Sequence, residues 1–152
     1  LYAEEVAVED LLPPTSLVLE VGNVIGIAGP VSCRTGLALA LSGRLGITSG
    51  RARVAGELLP GAATAVHRRT RYTDLAGNPA ALALLRPVPG SVVFVDSVET
   101  IDVGDERLTE LISRFRSDGT SALVLCASSE SILDALPVDG VLVVGPSVRS
   151  MR

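Results

Sequence analysis

The chain contains no lysine and no tryptophan in 152 residues. All 13 basic residues are arginine, set against 17 acidic ones, for a formal net charge of -4. That balance excludes a general nucleic-acid binder, which needs a basic face to engage phosphates. Aromatics are confined to Tyr2, Tyr72, Phe94 and Phe115. The core must therefore come from Val, Leu, Ile and Ala, which a hydrophobic fraction of 47% supplies. One histidine, His67, and two cysteines, Cys33 and Cys126, are too few for a metal centre or a disulfide framework. Two buried thiols in a reducing cytosol are expected. No run nears the roughly 18 apolar residues of a membrane-spanning helix, and no basic segment leads into an apolar one as in a signal peptide. A cytoplasmic location follows as the expectation. The chain opens at Leu1 without Met, which fits a piece excised from something longer. Missing lysine beside abundant Ala, Arg, Gly and Val fits a GC-rich bacterial genome.

What is present suits one domain of common size, and no linker or internal repeat divides it. Ser91–Asp96, Ala122–Cys126 and Val141–Val144 are short continuous apolar runs that read as buried strands. Between the first two, Leu108, Leu111, Ile112 and Phe115 recur at helical spacing, and Gly119 supplies a stop. Ser129–Leu136 reads as a short helix ahead of Pro137. Strands of this kind separated by helices indicate a parallel sheet covered on both faces. Earlier in the chain, Val6–Val8 and Leu17–Leu19 read as edge strands around Pro13-Pro14, and Arg51–Gly56 alternates like a strand with one wet face. Residues 60–90 are the least regular. Arg68, Arg69 and Arg71 form a basic cluster beside His67, either a solvated face or a partner-binding surface.

The stretch with most chemical content is Val24–Ala28, then Gly29-Pro30-Val31-Ser32-Cys33-Arg34-Thr35-Gly36, then Leu37–Leu41. It reads as a strand, a tight turn and a helix, the setting of a phosphate-binding loop of form G-x-x-x-x-G-K-[ST]. Here the loop is one residue short, its inner glycines are missing, and Arg34 stands where the lysine belongs.

The order of these pieces resembles the nucleotide-binding domain of ATP-binding cassette (ABC) proteins. Val21–Pro30 resembles the lead into the family's P-loop. Leu41-Ser42-Gly43 with Thr48-Ser49-Gly50-Arg51-Ala52-Arg53-Val54-Ala55-Gly56 resembles the helix end and the arm that follows it. Arg68–Asp74 resembles the strand before the Q-loop, Val92–Asp96 the Walker B strand, and Gly119-Thr120-Ser121 the lead into the strand that ends at the switch histidine. The resemblance implies a three-layer P-loop NTPase-like α/β domain, with a mainly parallel sheet and an antiparallel arm near the N-terminus. It also implies that strand 122–126 lies between strands 24–28 and 91–96, bringing Cys126 toward Cys33.

The departures fall on chemical positions. Ser97 replaces the catalytic glutamate and Ala127 the switch histidine. No aromatic between Val8 and Leu17 offers a stacking face for adenine. Between about 75 and 90 there is no room for the helical subdomain or its signature, of which Leu75-Ala76-Gly77-Asn78 is a faint echo. If a nucleotide binds, Gly29, Pro30, Val31, Ser32, Cys33, Arg34, Thr35 and Gly36 are the residues expected to hold it, with Thr35 and Asp96 on Mg²⁺. Asp96 reads equally as a cap or loop hydrogen-bonder, and Glu99 and Asp102 as substitute carboxylates or solvated loop acids. No confident catalytic residue emerges. The leading expectation is a non-hydrolysing scaffold or regulatory partner of a membrane protein or second cassette domain, with ATP and Mg²⁺ bound weakly if at all. One alternative is an ATPase or nucleotide switch with a rearranged site, and another is a binder of a different anionic small molecule.

Overall fold

The structure is a computed structural model that describes residues 1–102, 104–145 and, for the backbone alone, 150–151. Its centre is a six-stranded sheet. In chain order its strands are β3 (Val24–Ala28), β6 (Thr70–Asp74), β7 (Val92–Asp96), β8 (Ala122–Ala127), β9 (Gly140–Val143) and β10 (Ser150–Met151). The spatial order is β10-β9-β3-β8-β7-β6. All neighbours are parallel except β10, which runs antiparallel to β9. β8 thus lies between β3 and β7, as the resemblance implied, with Ile27 opposite Cys126.

Four further strands form an antiparallel sheet in the order β2-β1-β4-β5. They are β1 (Tyr2–Val8), β2 (Leu12–Val18), β4 (Ser49–Val54) and β5 (Glu57–Leu59). β2 is an edge strand, which explains how it carries Pro13 and Pro14: proline cannot donate to a ladder and survives where one side is unpaired. β1 was expected at an edge as well. It lies inside, because β4 from the later arm pairs along its other side.

The two sheets enclose helix α1 (Val31–Leu41), whose Leu37, Ala38, Ala40 and Leu41 are fully buried. A helix apolar on most sides is what a position between two sheets demands. One core fills this layer and takes Ile25, Ile27, Phe94, Val124 and Cys126 from the central sheet. Alternation along the strands sends Val24, Ala28, Val93, Val95, Leu123 and Leu125 to the opposite face. There they meet α3 (Glu106–Asp118) and α4 (Glu130–Asp134). Leu108, Leu111, Ile112 and Phe115 of α3 are all buried, as their spacing predicts. Asp105 caps the helix by accepting from the Arg107 N–H at 2.9 Å, and Gly119 ends it with φ 71°.

Residues 60–90 are more regular than expected. They hold α2 (Ala63–Arg68), β6 and a 3₁₀ turn over Pro79–Ala83. α2 buries only Val66, so its sequence carries no periodic signal. Between β6 and β7 the 3₁₀ turn is the sole helical segment. No helix among the described residues is long and apolar enough to cross a membrane.

Candidate functional site

The site lies at the C-terminal ends of β3, β7 and β8, where open α/β sheets hold their ligands. The expected turn over Gly29–Gly36 is shorter than the sequence reading gave. α1 begins at Val31, so only Gly29 and Pro30 separate it from β3. Val31, Ser32, Cys33, Arg34, Thr35 and Gly36 are helical. The backbone N–H groups of Cys33 and Arg34 are already bonded to the Pro30 carbonyl, at 3.0 and 2.9 Å. Without inner glycines to take positive φ, the chain passes straight into the helix. Gly29 is required for another reason. A Cβ there would sit 2.2 Å from the Val144 carbonyl oxygen, at a φ of +154°.

Starting α1 early turns Arg34 inward. Its residue is 3% exposed, and each of its three guanidinium nitrogens donates a hydrogen bond. Nε donates to Asp96 Oδ1 at 3.1 Å, one terminal nitrogen to the Gly29 carbonyl at 2.9 Å, and the other to Glu99 Oε2 at 3.0 Å. Asp96, 1% exposed, ends β7 and accepts on both oxygens. Oδ1 also takes the Ser97 N–H at 2.8 Å, while Oδ2 takes the Thr35 hydroxyl and the Tyr72 hydroxyl, the latter at 2.7 Å. Glu99 reaches across to accept the Ser128 N–H at 3.1 Å. The guanidinium therefore ties α1 to the end of β7 and to Glu99, and Glu99 carries the link on to the loop after β8.

Ser97 follows Asp96 in the left-handed region, φ 61°, a conformation that non-glycine residues rarely adopt. Its carbonyl accepts the Thr100 hydroxyl at 2.7 Å, which helps hold that turn. Ala127, at the end of β8, is buried, and its carbonyl accepts the Gly29 N–H at 3.1 Å. Asp102 makes no contact with the Arg34 group; its side chain accepts the Gly104 N–H at 2.9 Å.

Burial raises the Tyr72 hydroxyl well above the ordinary tyrosine range, and the hydrogen bond to Asp96 adds to it. Cys126 is raised well above an ordinary thiol, first by complete burial and then by the negative charge of Asp96. Both cysteines are free and buried in the same core cluster, and Cys33 donates weakly to the Leu11 carbonyl at 3.5 Å. No metal-binding group of three or more His, Cys, Asp or Glu exists among the described residues. Tyr72 is the site residue that sequence reasoning missed. Its signal was the shared step of two parallel strands, which sets Tyr72 opposite Phe94, two residues before Asp96.

Beside the N-terminus of α1 runs an open groove of about 830 Å³ between the β1–β2 turn and Pro30. Its lining includes Glu9, Asp10, Leu11 and Pro13, and no basic residue.

No family model and no curated protein matches this chain. Solved structures do. An ATP-binding subunit of an ABC transporter superposes with a TM-score of 0.70 at 9% identity, covering 98% of this chain and 88% of its own. The cbiO1 protein of Clostridium perfringens, part of the transporter complex cbiONQ, gives 0.68 at 12% identity, with 94% and 83% covered. The ATP-binding cassette MJ0796, in a dimeric post-hydrolysis state with ADP and Pi, gives 0.67 at 10% identity, with 98% and 97% covered. At such identities the likeness is one of fold, and the chain has the P-loop NTPase-like fold of the ABC nucleotide-binding domains.

Proposed function

We propose that this chain is a degenerate cassette domain, a single unit lacking the helical segment between about 75 and 90, that serves as a non-hydrolysing scaffold or regulatory partner. The observation that carries this reading is the Arg34 side chain, buried between Asp96, Glu99 and the Gly29 carbonyl. In that place it is not available to a phosphate, and its charge is already matched by two carboxylates. A phosphate loop works through successive free N–H groups at a helix start. Here two of them are bonded to the Pro30 carbonyl. Asp96 accepts four hydrogen bonds, which accounts for the lone-pair directions of a carboxylate. In this arrangement the donor set does not fit Mg²⁺, which would face a guanidinium 3.1 Å from the same oxygen. The adjoining groove, with Glu9 and Asp10 on its wall, repels a polyphosphate rather than attracting it.

Such a domain acts by holding a partner, which we take to be a membrane protein or a second cassette domain on the cytoplasmic side. Titration with ATP and Mg²⁺ is expected to give neither micromolar binding nor phosphate release. Micromolar binding with turnover would overturn the reading. A rearranged nucleotide site or another anion site at the same place is the rival, supported by Thr35 and Asp96 still being adjacent. It requires Arg34 to leave both carboxylates for the ligand, and it expects binding that disappears in Arg34→Ala.

A further inference from the structure

The arginine cluster at 68–71 does not belong to the Arg34 site. It lies at the opposite end of the sheet, where β6 and β7 begin. Register sets Arg71 opposite Val93 near the start of β6 and β7, while Arg69, in the turn between α2 and β6, donates to the Ala55 carbonyl at 3.4 Å. The loop entering β7 adds Arg86. Together these enclose a cavity of about 260 Å³, lined by Arg68, Arg69, Arg71, Arg86, Gly90 and Ser91 among others, with no carboxylate in its wall. A chain of net charge -4 thus gathers four arginines around one small hollow.

Little within the chain neutralises them. Among the described residues their one salt bridge is a long 3.8 Å contact from Arg69 to Glu57. Arg86 donates to the carbonyls of Ala83 and Leu85, both at 2.9 Å, which anchors it without cancelling its charge. The Ser91 hydroxyl oxygen is shielded from solvent and has no hydrogen-bond partner among the described residues. Like charges held together around one hollow cost free energy that a bound anion recovers.

We propose that this cavity is a binding site for a small phosphorylated molecule. Guanidinium forks match phosphate oxygens in pairs, which a lysine cluster would not do. The volume falls just under the common range for drug-sized ligands, about 300–1,000 Å³, and suits one or two phosphate groups rather than a polymer. The site is independent of the Arg34 reading, since none of its residues touches Asp96 or Glu99.

The test is an amide NMR titration of the chain with inorganic pyrophosphate at about 0.15 M salt, where exposed long-range attraction is screened. Saturable shifts are expected at Arg68–Arg71 and Gly90–Ser91. Arg68→Gln with Arg71→Gln should weaken binding at least about tenfold with the remaining amide pattern unchanged, while Arg51→Gln, on the other sheet, leaves it intact. Shifts centred on Gly29–Thr35, non-saturating shifts over the whole surface, no shifts, or an unaffected double variant would each overturn the site. Tricarballylate, a polyanion without phosphorus, is expected to bind more weakly; equal binding would overturn the assignment to phosphate.

Discussion

Replacing Arg34 by methionine tests the central arrangement, because it keeps most of the apolar stem and removes the guanidinium. Asp96 would keep its bonds from Ser97, Thr35 and Tyr72 but lose its counter-charge, with its side chain only 2% exposed. Removing one partner of a buried ion pair typically costs about 3–5 kcal/mol, since the other charge is left uncompensated. Glu99 would lose its partner too, but at 25% side-chain exposure water replaces much of what it loses. Against a total stability of about 5–15 kcal/mol the deficit is a large share. It corresponds to a fall in Tm on the order of 10 °C for a chain of this length. Urea unfolding should show a lower midpoint at unchanged slope, the mark of lost stability rather than a changed unfolded state. Asp96→Asn in the same background removes the orphaned charge, so the double variant should be more stable than the sum of the singles by about 1–3 kcal/mol. A single variant within about 0.5 kcal/mol of the parent, or a coupling energy near zero, would refute the account of Arg34 as the charge that holds this site together.

Two further outcomes follow from the same geometry. Cys126 is raised above its unfolded value of about 9 by burial, so the unfolded chain releases that proton first as pH rises. The stabilising contribution is whole below pH 9 and is lost above it, by about 1.4 kcal/mol per pH unit from this group. Urea unfolding at several alkaline pH values should show that slope shallower in Cys126→Ala, and an unchanged slope would contradict it. Gly29→Ala should destabilise more than Gly26→Ala, measured as midpoint shifts in the same assay. The first methyl would meet the Val144 backbone carbonyl at 2.2 Å, whereas the second would meet side-chain atoms of Leu133, the nearest at 2.7 Å, which give more readily than backbone. Equal losses would mean that the contact between Gly29 and Val144 does not govern this turn.

β3, β7, β8 and β9 were legible because each is a short apolar run, β6 only through the family resemblance, and α3 because its four buried residues repeat at helical spacing. The start of α1 was not legible. The run Val31–Gly36 carries no apolar period, and only the missing inner glycines hinted that a turn could not be sustained there. α2 escaped for the same reason, being six residues long with one buried side chain. Glu99 was among the candidate carboxylates, but nothing in its neighbourhood in the chain marks it as the partner of Arg34, 65 residues away.

The sequence by itself determined the α/β class and the succession of strands and helices along the chain, because strand and helix periods are local properties; the place of β8 between β3 and β7 came from the family resemblance. It also determined that the chain has no lysine, and that Arg34, Ser97 and Ala127 stand in the loop, after Asp96 and at the end of the 122–127 strand. Only the tertiary structure decided where the remaining charges go. Arg34, Asp96 and Tyr72 come from three separate elements, and their hydrogen bonds exist only once β6, β7 and α1 are packed. The same holds for the arginines at the other end of the sheet, which become a cavity when the loop carrying Arg86 folds against β6. Burial sets the cost of an unpaired charge, and burial is a property of the assembled layers.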